Sequence, residues 1–199
     1  YFLWSAPPDD ELLTLVASGE LAETAVLAKQ VDRMLADQKS HDFAAGFAHQ
    51  WLGLDRLEFF RFDHELFPDF DEATREAAKR EVYETFHALV SGNLDARNLL
   101  ASDFVVVNGL LAAYYGLDDG GSPVIGDDFR VVKLPQGSPR GGLLGMAAIL
   151  AMGSNGERTS PVERGAWVLR KLMNDPPPPA PPNVPQLTRL ESKEITTRE

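Results

Sequence analysis

The sequence predicts a mainly α fold: a helical module, then a small α-rich module with one short strand and a polyproline exit. Three observations predict it. Apolar residues recur at helical spacing between start and stop residues through the first two-thirds of the chain. The clearest strand candidate is one short β-branched run, Phe129-Arg130-Val131-Val132-Lys133-Leu134, bounded by turn residues. Residues 138–185 spell out a helix start, a helix stop and a stiff exit.

The elements follow in order. Pro7-Pro8-Asp9-Asp10-Glu11 suits a helix N-terminus, with proline near the first turn and acids against the dipole. Leu12, Leu13, Leu15 and Val16 supply its stripe and Gly19 ends it. Thr24 is the expected cap of the next helix, whose face is Val26, Leu27, Val31, Met34 and Leu35. Phe43, Phe47, Trp51 and Leu54 mark one face of a third helix that closes near Gly53. The stretch 57–70, dense in Phe and Asp, reads as an irregular packed segment. Asp71 opens the longest helix, with Phe70 placed for a hydrophobic staple and Ala78, Val82, Phe86 and Leu89 or Val90 inward. Glu76 and Arg80 form an expected i,i+4 pair on its wet face. A turn near 94–100, an extended segment at 102–108 and a short helix closed by Gly116 complete the first module, residues 1–118. Residues 119–128 read as a flexible polar linker. The second module, 129–187, contains the strand, a helix over 143–152 and a helix capped by Ser160, with Pro161 at the first helical position and Glu163 completing a capping box. Val162, Ala166, Leu169 and Met173 are its expected inward face. Pro176 to Pro179, Pro181 and Pro182 predict a polyproline II rod.

Composition limits function. With 44% hydrophobic and 25% charged residues the balance is globular, and no apolar run reaches the roughly 18 residues of a membrane span. Absence of cysteine excludes disulfides, thiolate metal sites and CxxCH haem attachment within these residues. The net charge of -11 is uneven. Residues 1–118 carry -12, and 129–173 carry +5. The two modules are expected to neutralise each other across an interface, or the basic one to dock an anionic partner such as haem propionates or an acidic domain. Nucleic acid is not an expected partner, because the total charge is negative and the basic residues are sparse.

No catalytic constellation is visible. His41, His49, His64 and His87 lack metal-ligand spacing, so no metal site is expected, and His49 is expected to bond locally. No GxSxG elbow is present. The glycines of Gly141-Gly142-Leu143-Leu144-Gly145 can offer free amides to an anion beside Arg140, or serve close backbone packing. Asp63, Glu65, Asp69, Asp71 and Glu72 cluster around Pro68, which leaves a hydrolase or glycan-binding module as the alternative function. Met146 sits among ordinary apolar helix neighbours, which predicts core packing. Arg140, Arg164 and Trp167 are the partner-interface candidates.

Several motifs carry a resemblance. Tyr1-Phe2-Leu3-Trp4, which looks like the middle of an apolar helix face, continues to Ser5; that run with Pro8-Asp9-Asp10-Glu11-Leu12, then Phe47-Ala48-His49-Gln50-Trp51-Leu52, then Asn108 with Tyr114-Tyr115-Gly116, resemble one domain of unknown function. That domain occurs in planctomycete-type multidomain cytochrome c proteins. The run from Ser138 to Gly145, then Arg158 to Leu169, then the prolines with Asn183-Val184-Pro185, resemble the next domain of the same proteins. The resemblance implies architecture more than mechanism: a structural and interface pair supporting redox or electron-transfer modules elsewhere. It implies haem c in neighbouring modules and none here, those modules as partners, and an extracytoplasmic location. Met146 stands where relatives often carry Gln or His, so the resemblance makes it a weak candidate haem ligand. Residues 188–199 look like a truncated lead-in to a haem-bearing module, and the start at Tyr1 suggests a fragment with any targeting signal upstream.

Overall fold

The structure, a computed structural model, describes residues 1–59, 62–154 and 156–178. It is mainly α, with seven α-helices and four short strands among those residues. The far part of the proline run, Asn183-Val184-Pro185 and the 188–199 segment lie outside the described residues.

Helix α1 (Asp10–Ser18) begins where the Asp9 carboxylate accepts from the Leu12 amide, and ends at Gly19 with φ 80°. Helix α2 (Thr24–Ala36) is capped by the backbone of Glu23, one residue earlier than expected, and Thr24 is its first helical residue. The two are tied by Arg33 on Asp9 at 2.7 Å and by Gln30 Nε2 on Glu11 at 2.8 Å. The first residues are turns, not the helix face their composition suggested. The reason is Trp4, whose indole N–H donates to Met34 O at 2.9 Å while its ring joins Leu12 and Met34 in a small satellite core. That bond fixes the chain in an orientation a helix at 1–4 does not provide.

Helices α3 (Ser40–Leu52) and α4 (Glu72–Ser91) form the main helical pair. Asp71 caps α4 as expected, accepting from the Thr74 amide. The aromatic stripe of α3 is not its buried face. Ala44, Ala48 and Leu52 go inside, and Phe47 stays 43% exposed. Phe43, Phe47 and Trp51 instead line up along the α3–α4 seam against Phe86, with Phe47 and Phe86 stacked at 5.0 Å. Small residues inside let the helix backbones approach, and the rings seal the seam from outside. On α4 the expected pair of Glu76 and Arg80 is replaced: Glu76 binds Lys79 at 2.7 Å and Arg80 lies 3.7 Å from Glu84.

Strand β1 (Phe104–Val107) pairs antiparallel with β4 (Arg130–Lys133), placing Val105 opposite Val132 and Val106 opposite Val131. Between them come α5 (Gly109–Tyr115), closed by Gly116 at φ 65°, and a tiny ladder of β2 (Asp118–Asp119) with β3 (Ser122–Pro123). Residues 119–128 are therefore ordered by strand pairing and by burial of Val124, rather than a featureless loop. One hydrophobic core draws on both sides of that segment, from Leu52, Leu57, Val82 and Val107 to Val132, Leu143, Ile149 and Trp167.

The helix expected over 143–152 is broken. Leu143–Gly145 makes a single 3₁₀ turn, Met146 is extended, and α6 runs only over Ala147–Met152. The break is tertiary in origin: the Tyr115 hydroxyl takes the Ala147 amide at 2.8 Å and caps α6 from a distance. Helix α7 (Pro161–Lys171) starts with Ser160 Oγ accepting from the Glu163 amide and Pro161 at its head, but the expected capping box is half made: the Ser160 amide donates to Gly153 O and the Glu163 carboxylate binds Arg56. Trp167 is its buried residue, while Val162 and Met173, expected inside, are 79% and 63% exposed.

Candidate functional site

The site forms where α6 and α7 meet the aromatic residues of the first module. A cavity of ≈ 440 Å³ is walled by Phe62, Phe67, Phe70 and Tyr114 on one side and by Ala147, Leu150 and Ala151 on the other. Arg140 and Arg164, with Ser154 and Thr159, supply its polar groups. Phe62 meets Phe70 edge-on at 4.8 Å, so the aromatic wall is itself packed.

The two arginines are held differently. Arg140 stacks its guanidinium 3.6 Å above the Tyr115 ring and donates to Gly145 O at 3.1 Å. It is half-buried and committed to the fold as well as to the cavity. Arg164 is exposed, and its guanidinium makes no hydrogen bond or ion pair among the described residues. Its stem lies along Gly153, where a Cβ would come within 2.2 Å of Arg164 Cγ. Gly153 thus makes room for that stem, and the head group stays available at the cavity mouth. Both arginines were candidates from sequence, and the fold brings them to one cavity.

Trp167, the third candidate, faces inward. Its indole N–H donates to Leu52 O at 3.0 Å, and Trp51 makes the reciprocal contact to Lys171 O at 2.9 Å. These bonds fasten α7 to the end of α3. The ion pair across this contact, Arg56 with Glu163 at 2.9 Å, has the opposite polarity to the charge balance of the two modules. Apolar burial and indole bonds, rather than acid-to-base neutralisation, join the halves here.

Behind the cavity lies a buried acid that the sequence analysis did not single out. Glu81 on α4 is fully buried, and its Oε2 accepts from the Tyr115 hydroxyl at 2.5 Å. Its Oε1 has no partner, nor does Thr85 Oγ1 one turn on. Burial pushes the Glu81 carboxyl up to about 8, only partly opposed by the Tyr115 bond and the Arg140 charge. Burial, then the neighbouring acid, hold the Tyr115 phenol well above its ordinary range. Tyr115 therefore links Glu81, the α6 cap and Arg140 in one chain of contacts. No local signal betrayed this: an i,i+4 pattern cannot tell a wet-face glutamate from one that α5 covers.

The remaining candidates resolve as follows. Met146 is 2% exposed and packs in the main core, and it does not line the cavity. The Gly142 amide is not free for an anion. Gly142 N donates to Ser102 Oγ, and a Cβ at Gly141 or Gly142 would strike the backbone of Ser102 or Leu100 at 2.3 or 2.5 Å. Close backbone packing is what these glycines serve. Asp63, Glu65, Asp69, Asp71 and Glu72 are all exposed, and none lines the three cavities described among these residues. His49 bonds locally, its Nδ1 lying 2.8 Å from the Tyr83 hydroxyl.

Comparison with family models places this architecture. Residues 1–117 match PSD4, a protein family of unknown function also designated DUF1592. The chain belongs to the DUF1592 family. Residues 140–199 of this DUF1592 protein are similar to PSCyt3, a second family of unknown function designated DUF1588. Both family names are planctomycete cytochrome-associated, and no cytochrome module occurs in these residues. No curated protein and no solved structure matches the chain significantly. No helix among the described residues is long and apolar enough to cross a membrane.

Proposed function

We infer that this DUF1592–DUF1588 unit is a structural and interface pair in an extracytoplasmic multidomain protein bearing c-type haem, and that it braces a neighbouring haem module. One observation carries the reading: Arg140 and Arg164 border the same aromatic-lined cavity, and Arg164 has no partner of its own among the described residues. A guanidinium at an apolar, partly closed mouth binds carboxylates in a bidentate fashion, with less competition from water than on open surface. Haem propionates and acidic side chains both present that group. The cytochrome-associated family names supply the haem context, and the absence of cysteine puts any haem attachment on another module.

The test begins with the coding sequence beyond Glu199, where a CxxCH motif is expected within a few tens of residues. The adjoining haem module, produced separately, is then titrated with this chain by calorimetry. Binding is expected to weaken with Arg164→Glu and with added salt. Absence of binding, or an Arg164→Glu chain that binds like the parent, overturns the docking role.

A further inference from the structure

The fold assembles a second group of ligating side chains that the sequence keeps apart. His41 lies in the first turn of α3, and Glu84 and His87 lie three residues apart on α4. The latter two form a Glu-x-x-His step, the spacing that presents a carboxylate and an imidazole on one helix face in metal-binding bundles. Potential ligand atoms of His41, Glu84 and His87 all lie within 4.8 Å of one another. The site is separate from the arginine cavity and opens to a different hollow, lined by Gln38, Lys39, His41, Asp42, Arg80 and Glu84.

The hydrogen bonds around His87 define its tautomer. Ser40 Oγ has one hydrogen, and it lies 2.7 Å from Asp37 O and 3.0 Å from Leu35 O, carbonyls that can only accept. The serine proton is spent there. Ser40 Oγ is then placed to accept from His87 Nε2–H, at 2.8 Å. This arrangement favours the Nε2–H tautomer of His87, which leaves the lone pair on Nδ1. Such an outer hydrogen bond is the device that orients and tautomerises a metal-binding imidazole. On the other side, Glu84 Oε2 lies 3.3 Å from His41 Nδ1, and Arg80 stands 3.7 Å from Oε1.

We propose that His41, Glu84 and His87 form a binding site for a divalent first-row transition ion of the zinc type. Two imidazoles and one carboxylate suit zinc and its neighbours better than calcium or magnesium, which prefer all-oxygen shells. Ligand atoms around a tetrahedral zinc stand roughly 3.3 Å apart, given bonds of about 2.0–2.1 Å. The ligand atoms stand within 4.8 Å of one another, so binding requires side-chain rotation to draw them closer. The His41 and His87 rings are stacked at 3.6 Å with planes 21° apart, so their in-plane lone pairs do not meet at one point. Among the described residues the His41 ring, 42% exposed, is held by Glu84 and this stacking, and it is the ring that turns. Three protein ligands leave the fourth position to water from the adjoining hollow.

The test uses the tag-free chain freed of metal with a chelating resin, then titrated with ZnCl₂ by calorimetry and by competition with a chromophoric chelator. One equivalent is expected to bind. His41→Ala and Glu84→Gln should each weaken it about 10-fold or more. His49→Ala and His64→Ala should leave it unchanged. His41 and Glu84 are partly exposed, so both variants are expected to fold, with far-UV circular dichroism as the check. Ser40→Ala keeps all three ligands but releases the tautomer, and is expected to lower affinity by a smaller factor. Independently, imidazole nitrogen resonances should show His87 as the Nε2–H form without metal and a shifted Nδ1 with it. No saturable zinc uptake, affinity unaffected by His41→Ala, or an Nδ1–H tautomer at His87 would each overturn the proposal.

Discussion

Replacing Glu81 by glutamine tests the electrostatics behind the cavity. The folded chain holds the Glu81 proton up to about pH 8, whereas the carboxyl ordinarily releases it near 4.5. Below 4.5 both folded and unfolded chains are protonated there, and the site contributes its full stability. Between 4.5 and about 8 the unfolded chain gives up the proton and the folded chain keeps it, so rising pH favours unfolding. Each pH unit in that window removes up to about 1.4 kcal/mol, on the order of 4–5 kcal/mol across it. Glutamine keeps an acceptor for the Tyr115 hydroxyl but cannot ionise. Its amide also faces the space where Glu81 Oε1 and Thr85 Oγ1 lack partners. At pH 5 the variant should lie within about 1 kcal/mol of the parent. By pH 8 it should be the more stable protein by several kcal/mol. Urea unfolding followed by tryptophan fluorescence at pH 5, 6, 7 and 8 reads this directly. Other groups titrate equally in both proteins and cancel in the difference. A parent-minus-variant difference that stays constant over this range would refute the argument.

Other consequences are simpler to measure. Gly142→Ala places a Cβ 2.5 Å from the Leu100 backbone at φ 78°, and should destabilise by about 3 kcal/mol or more, read as a lowered urea midpoint. Trp167→Phe leaves Leu52 O without its indole donor and should lose about 1–3 kcal/mol. Because one core draws on both family regions, residues 1–178 should unfold in a single transition by fluorescence and by circular dichroism. Two separated transitions would contradict the shared core. Arg140→Ala should lower the thermal midpoint by removing a stacked, hydrogen-bonded guanidinium, whereas Arg164→Ala should leave it within experimental error.

Helix boundaries were largely legible where short-range chemistry sets them. Asp9, Asp71, Ser160 and Pro161 cap or open helices as their types demand, and Gly19, Gly53 and Gly116 close them in left-handed backbone. Those choices involve hydrogen bonds within about four residues, so local sequence contains the relevant partners. The exceptions are instructive. The first four residues and the 143–152 segment carry helical composition, yet Trp4 bonded to Met34 and Tyr115 bonded to Ala147 override it from 30 and 32 residues away.

The sites divide along the same line. Sequence alone singled out Arg140 and Arg164 by charge and motif, and excluded haem attachment by lack of cysteine. It determined most helix starts and stops and the mainly α class. Only tertiary structure decided that the aromatic face of α3 seals a seam while its alanines go inside, that Glu81 is entombed, and that two arginines share one cavity. It alone brought His41 beside Glu84 and His87. The physical reason is range. Capping and periodicity act within a turn or two, whereas burial, pKa displacement and ligand convergence depend on which distant segment covers a side chain, and no local pattern encodes that.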